Sequence, residues 1–96
     1  MVKKVTFTAK AEKQRLSILE YYFEQTGSTK IPTQIYQQFN RVIENIQHFP
    51  ESGVKLKNNN RGIIKSHYKI VYKIENDSII ILHIWDTRQN PKNLPL

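Results

Sequence analysis

RGIIKSHYKIVYKIENDSIIILHIW, residues 61–85, is the stretch whose reading decides the fold. From Tyr68 onward it alternates: Tyr68, Ile70, Tyr72 and Ile74 share one face of an extended chain, and Lys69, Val71 and Lys73 share the other, because strand side chains alternate with period two. A single strand over 61–75 would be far longer than the usual five or six residues. A tight turn is therefore expected near Ser66 and His67, dividing it into Arg61 to Lys65 and Tyr68 to Glu75. Asn76, Asp77 and Ser78 supply the next turn. Ile79 to Trp85 is almost wholly apolar and β-branched, which reads as a central strand buried on both faces.

Upstream the period changes. Val2 to Phe7 reads as a short strand. Thr8 is a reasonable N-cap for a helix from about Ala9 to Gln25, with Ile18, Leu19, Tyr22 and Phe23 at helical spacing, and Gly27 stops it. Ile35, Tyr36, Phe39, Val42, Ile43 and Ile46 make the clearest helical stripe in the chain, ended by Pro50 at or before Phe49. Tyr22, Phe23 and Tyr36 are expected in the core. Two amphipathic helices so close together should pack as an antiparallel hairpin. The resulting order is β-α-α-β-β-β, an α+β domain with a helical hairpin on a small, mainly antiparallel sheet, the first strand adding at one edge, parallel to its neighbour. The tail from Asn90 to Leu96, with Pro91 and Pro95, reads as irregular.

The 96 residues suit one domain, 1–96, with a single two-layer core. Fifteen Lys and Arg against eight Asp and Glu give a net charge of +7, which favours nucleic acid, ribosome or an acidic protein as partner. Between residues 55 and 73 stand six basic side chains and no acidic one: Lys55, Lys57, Arg61, Lys65, Lys69 and Lys73. A one-sign patch on a sheet suits phosphate or an acidic partner, although an ordinary solvated face has the same composition. With no cysteine, disulfides and thiolate chemistry are absent, and His48, His67 and His83 lack a spacing that converges on a metal, so no cofactor is expected. The residues after Met1 do not read as a signal peptide and no apolar run reaches membrane-spanning length, so a cytoplasmic location without membrane association is expected.

The element order, the Tyr68-Lys69-Ile70-Val71-Tyr72 strand, the Ile80-Ile81-Leu82-His83-Ile84 strand and the ending Trp85-Asp86-Thr87-Arg88-Gln89-Asn90-Pro91 together resemble the RelE/ParE superfamily of bacterial type II toxins, over nearly the whole chain. The resemblance implies a toxin neutralised by a cognate antitoxin, as a homodimer or a toxin-antitoxin heterotetramer. Two targets are implied: RelE-like members cut messenger RNA in the ribosomal A site without a metal, and ParE-like members poison DNA gyrase without cutting RNA. Metal-free RNA cleavage needs a base for the 2′-hydroxyl, an acid for the leaving oxygen and cations around the phosphate. On the RelE-like pattern Lys69 and Arg88 would be the catalytic cations, with Lys55 and Lys57 contributing.

His67 can serve as general base, neutral beside those cations, or as a plain turn residue. His83 reads as a satisfied core histidine in preference to a site residue. Asp86 and Arg88 share a face, so Arg88 is either a phosphate clamp or an anchor of the sheet end. Trp85 suits packing better than base stacking. Many nucleolytic members carry a Tyr or His soon after the last basic residue; this chain continues Gln89-Asn90-Pro91-Lys92-Asn93-Leu94. That ending looks like ParE-like plasmid-stabilisation toxins and tilts the expectation towards gyrase. Arg61, Lys65 and Lys73 are expected to bind RNA, target or antitoxin, and an antitoxin segment would cross a groove lined by Arg61, Lys69 and Arg88 or pack on the hairpin. A non-toxic nucleic-acid-binding domain is the remaining class.

Overall fold

A computed structural model of the chain describes residues 3–88. The expected irregular tail from Asn90 to Leu96, and Val2 of the first strand, lie outside the described residues. The first strand, β1, is Lys4–Phe7, followed by α1, Ala9–Thr26. Thr8 has extended backbone and its hydroxyl accepts from the Ala11 N–H at 3.1 Å, satisfying one of the four N–H groups a helix start leaves unpaired. At the other end Gly27 takes φ 66° and donates its N–H to the Phe23 carbonyl, a left-handed cap that costs glycine nothing. The second helix, α2, is Lys30–His48, and Phe49 caps it as Pro50 requires.

Ile35, Phe39, Val42, Ile43 and Ile46 are the buried stripe of α2, as the spacing predicts. Tyr36 is a correction: it is 43 % exposed. It follows Ile35 by about 100° around the helix, enough to leave the sheet-facing side. Phe23 is likewise 49 % exposed, because five residues after buried Ile18 the helix has turned about 140° away from the core. Tyr22 is half-buried and packs against the core.

Five strands form the sheet, in the order β1-β5-β4-β3-β2. β3 is Asn60–Lys65, β4 Tyr68–Glu75 and β5 Ser78–Asp86. The turns between them fall at Ser66-His67 and Asn76-Asp77, where Ser66 and Asn76 adopt φ 58° and 52°. β1 is an edge strand running parallel to β5, and the remaining pairs are antiparallel. The two-residue strand β2, Val54–Lys55, pairs with Gly62 and Arg61. It was not foreseen, since two residues carry no readable alternation.

A bulge in β5 decides which side chains meet. Tyr72 faces Ile81 and Val71 faces His83, so Leu82 is the extra residue. Before it Ile79 and Ile81 point into the core beneath the helices, and after it Ile84 does so. The phase of the strand has therefore flipped. His83 and Trp85, which simple alternation groups with Ile81, move to the outer face, and Asp86 moves to the helix face opposite Tyr68. The expectation that β5 is buried on both faces is also corrected: it lies between β1 and β4, yet Ile80, Leu82 and His83 are only part-buried, because the helices cover one face.

The chain between α2 and β2 is held by Tyr72, which is wholly buried. Its hydroxyl accepts from the Gly53 N–H at 2.9 Å and donates to the Pro50 carbonyl at 2.7 Å. A Cβ on Gly53 would lie 2.6 Å from that hydroxyl oxygen. Gly53→Ala should therefore cost about 2 kcal/mol in chemical denaturation, through overpacking and loss of the bond. In a Tyr72→Phe background the same change should cost less, and equal cost would refute the steric account. No helix among the described residues is long and apolar enough to cross a membrane.

Candidate functional site

The sheet distributes the basic residues over two faces. On the outer face Lys69 stands opposite Trp85 and places its ammonium 5.5 Å from the ring centroid, within cation–π range. Leu56 and the Lys69 stem close over Gly62, where a Cβ would meet Leu56 Cδ1 at 3.1 Å and Lys69 Cε at 3.3 Å. Lys73 lies on the same face and pairs with Glu75 at 3.6 Å. Both partners are well exposed, so this pair adds little stability. Trp85 is buried, 6 % exposed, as a packing residue would be.

His83 neighbours Trp85 on this face, ring centroids 6.2 Å apart. The satisfied core histidine expected here is a correction: its Nδ1 is buried and has no hydrogen-bond partner among the described residues. Burial, and then the nearby charge of Lys10, lower its pKa and favour the neutral ring.

On the helix face the order of contacts is different. Arg61 donates to the carbonyls of Gly53, at 2.9 Å, and Glu51, at 3.2 Å. It ties down the loop before β2. Lys55 faces Arg61 in register and Lys65 faces Tyr68, so both belong to this side, while Lys57 sits in the exposed turn of Lys57–Asn59. His67 is exposed in the β3–β4 turn, where its carbonyl accepts from the Thr87 N–H at 2.6 Å and from the Thr87 hydroxyl at 3.0 Å.

Arg88 completes a polar cluster at the end of the sheet. Its Nε donates to Asp86 Oδ1 at 3.0 Å and its Nη2 to Oδ2 at 2.7 Å, and its backbone N–H reaches Oδ1 at 2.9 Å. Nη2 also meets the Tyr22 hydroxyl, which donates to Asp86 Oδ2 at 3.2 Å. Burial pushes the Asp86 carboxyl up, but hydrogen bonds from the Arg88 side chain and backbone outweigh it and hold the pKa below the ordinary carboxylate range. The Arg88 guanidinium is held more firmly protonated by the same pair. Tyr68, behind the cluster, is pushed above the usual phenol range, first by burial and then by Tyr22.

The expected groove lined by Arg61, Lys69 and Arg88 is therefore not formed. Arg61 and Arg88 belong to the helix face and Lys69 to the outer one. Sequence reasoning also missed an apolar surface on the hairpin, where Leu16, Tyr21, Phe23 and Tyr36 are each more than two-fifths exposed. The signal was present: 16–23 in α1 is apolar nearly all round, more than one buried stripe uses.

A helical hairpin on a five-stranded, mostly antiparallel sheet is the fold of the RelE/ParE superfamily, and the comparisons agree. The sequence matches the family described as the ParE toxin of the type II toxin-antitoxin system parDE over residues 5–91, so the chain belongs to that family. Among solved structures, a chain of the chromosomal ParDE toxin-antitoxin system from P. aeruginosa aligns with TM-score 0.74 at 15 % identity, covering 91 % of this chain and 98 % of that one. A chain of the toxin-antitoxin complex RelBE2 from Mycobacterium tuberculosis aligns with TM-score 0.65 at 14 % identity, covering 90 % and 99 %. At such identities the likeness is one of fold. No curated protein matches the sequence.

Proposed function

We propose that this toxin arrests growth by binding DNA gyrase, in the manner its resemblance to ParE-like chains implies, and that a cognate antitoxin neutralises it in the cytoplasm. One observation carries the reading: the two cations that the RNA-cutting pattern would bring together lie on opposite faces of the sheet, and the Arg88 guanidinium is held by Asp86 and Tyr22. A crowded scissile phosphate needs its cations converged and free to donate. A protein that only binds its target has no such requirement. On this reading Lys69 and Lys73 are contacts on the outer face, and Arg88 and Arg61 are anchors that shape the molecule. The assembly is a toxin-antitoxin heterotetramer, or a toxin homodimer when free.

The second reading is a ribosome-dependent ribonuclease. It draws on the outer face alone, where Lys69 lies over Trp85 beside a neutral His83. Two assays on the same preparation separate the readings. Primer extension on a defined message in reconstituted translation should show an uncut message, and a gyrase supercoiling assay should show inhibition that Lys69→Ala weakens about tenfold, the size of one good charged contact. Discrete cuts inside translated codons that Lys69→Ala abolishes, with gyrase unaffected, would establish the nuclease instead.

A further inference from the structure

We infer that α1 carries a self-complementary face on which a second copy of this chain docks, helix against helix and antiparallel. Lys10, Lys13, Ser17, Glu20 and Glu24 follow one another at intervals of three and four residues, the spacing of a seam between two helices. All five are exposed, on the side of α1 turned away from buried Ala11 and Ile18. Leu16 and Phe23 flank the seam on one side and Tyr21 on the other, 47 %, 49 % and 50 % exposed. None of the four charged residues makes an ion pair among the described residues.

The order of charge along the seam makes it self-complementary. Its basic pair stands near the helix start and its acidic pair near the end, with Ser17 midway. A two-fold axis beside Ser17 lays α1 antiparallel to its copy, and each contact of residue i with residue j is then repeated as j with i. Lys10 of each copy faces Glu24 of the other, Lys13 faces Glu20, and the small serines meet where the helices come closest. The same operation keeps each flank on its own side, bringing Leu16 against its counterpart and taking part of Phe23 and Tyr21 out of water.

Charge also selects a second copy over other occupants. A wholly acidic segment laid along the seam would meet Glu20 and Glu24, and a wholly basic one Lys10 and Lys13. Lys10, Lys13 and Arg15 balance Glu12, Glu20 and Glu24, so α1 is neutral in a chain of charge +7. Two copies meeting here place two layers of helix between the basic strands of one sheet and those of the other, well beyond the screening length of about 8 Å at physiological salt. The inference gives the homodimer of the proposed function its surface and rests on that part of the reading, not on the target.

Sedimentation velocity over a dilution series tests the face. The unaltered chain should sediment as a dimer that dissociates on dilution. Lys10→Glu/Lys13→Glu makes the seam wholly acidic and Glu20→Lys/Glu24→Lys makes it wholly basic, so each variant alone should self-associate at least about tenfold more weakly. Mixed in equal amounts, the two should dimerise about as tightly as the unaltered chain, because every contact again joins a lysine to a glutamate. Leu16→Ser, which leaves the charges alone, should weaken both the unaltered dimer and the mixed one severalfold. These are exposed helix positions, so the melting transition by circular dichroism should be retained. A chain that is monomeric at every concentration, a dimer that both charge variants keep, or a mixture that stays monomeric would each overturn the face. Supercoiling inhibition is scored on the same samples: a monomer that inhibits gyrase refutes this face alone, and a dimer that leaves gyrase active refutes the gyrase reading alone.

Discussion

Phe39→Ala is expected to destabilise the protein by about 3–5 kcal/mol, the range for deleting a fully buried aromatic ring. Phe39 is 1 % exposed at the centre of the α2 stripe and meets Tyr68 edge-on, ring centroids 5.1 Å apart. It joins the helices to the strand that carries Lys69. For a domain of this size the loss corresponds to a fall of more than about 12 °C in the melting temperature. Total stability for such a domain is only about 5–15 kcal/mol, so much of the variant would be unfolded on warming. Circular dichroism melting measures it directly. A fall of only a few degrees would mean that the hairpin is held to the sheet by contacts other than this ring.

Asp86→Ala should give the second large effect, about 2 kcal/mol at neutral pH, for removing a buried carboxylate that accepts several bonds from Arg88 and Tyr22. The figure is set low because the Arg88 side chain is 48 % exposed and water screens its charge. The effect has a definite pH dependence. Since the folded pKa of Asp86 is depressed, the wild-type contribution is complete above the ordinary carboxylate range and disappears as pH falls through the lower folded value. Denaturation of both proteins at neutral pH and again at successively lower pH should therefore show the difference shrinking below about pH 4. A difference constant across that acid range would assign the loss to packing rather than to the ion pair.

The same pair bears on function. If Arg88 clamps a phosphate, Asp86→Ala frees it and should alter activity; if it anchors the sheet end, as proposed above, only stability should respond. Melting and cleavage of a defined message in reconstituted translation, measured on one preparation, distinguish these.

Both helices, the three long strands and the two turns followed from local patterns: the helical stripe of α2, the stop at Gly27, Pro50 after Phe49, and the period-two alternation of Tyr68 to Ile74. The pairing of Asp86 with Arg88 was legible as well, because two residues on one face of a strand end are neighbours whatever the rest of the chain does. These features depend on residues close in sequence, so composition and spacing contain them.

The arrangement of the candidate site depended on long-range registration and was not contained in spacing. One extra residue at Leu82, against Val71 and Tyr72 on β4, reverses the faces of everything after it, and so sends His83 and Trp85 outward and Asp86 inward. Six like charges between residues 55 and 73 looked like a single patch, yet Lys69 and Lys73 lie on one face of the sheet and Lys55, Arg61 and Lys65 on the other. The α+β order, the charge and the family resemblance were thus determined by the sequence itself. Which charges act together was decided only by the tertiary structure, because a strand's face is set by its register with a partner that the local sequence does not encode.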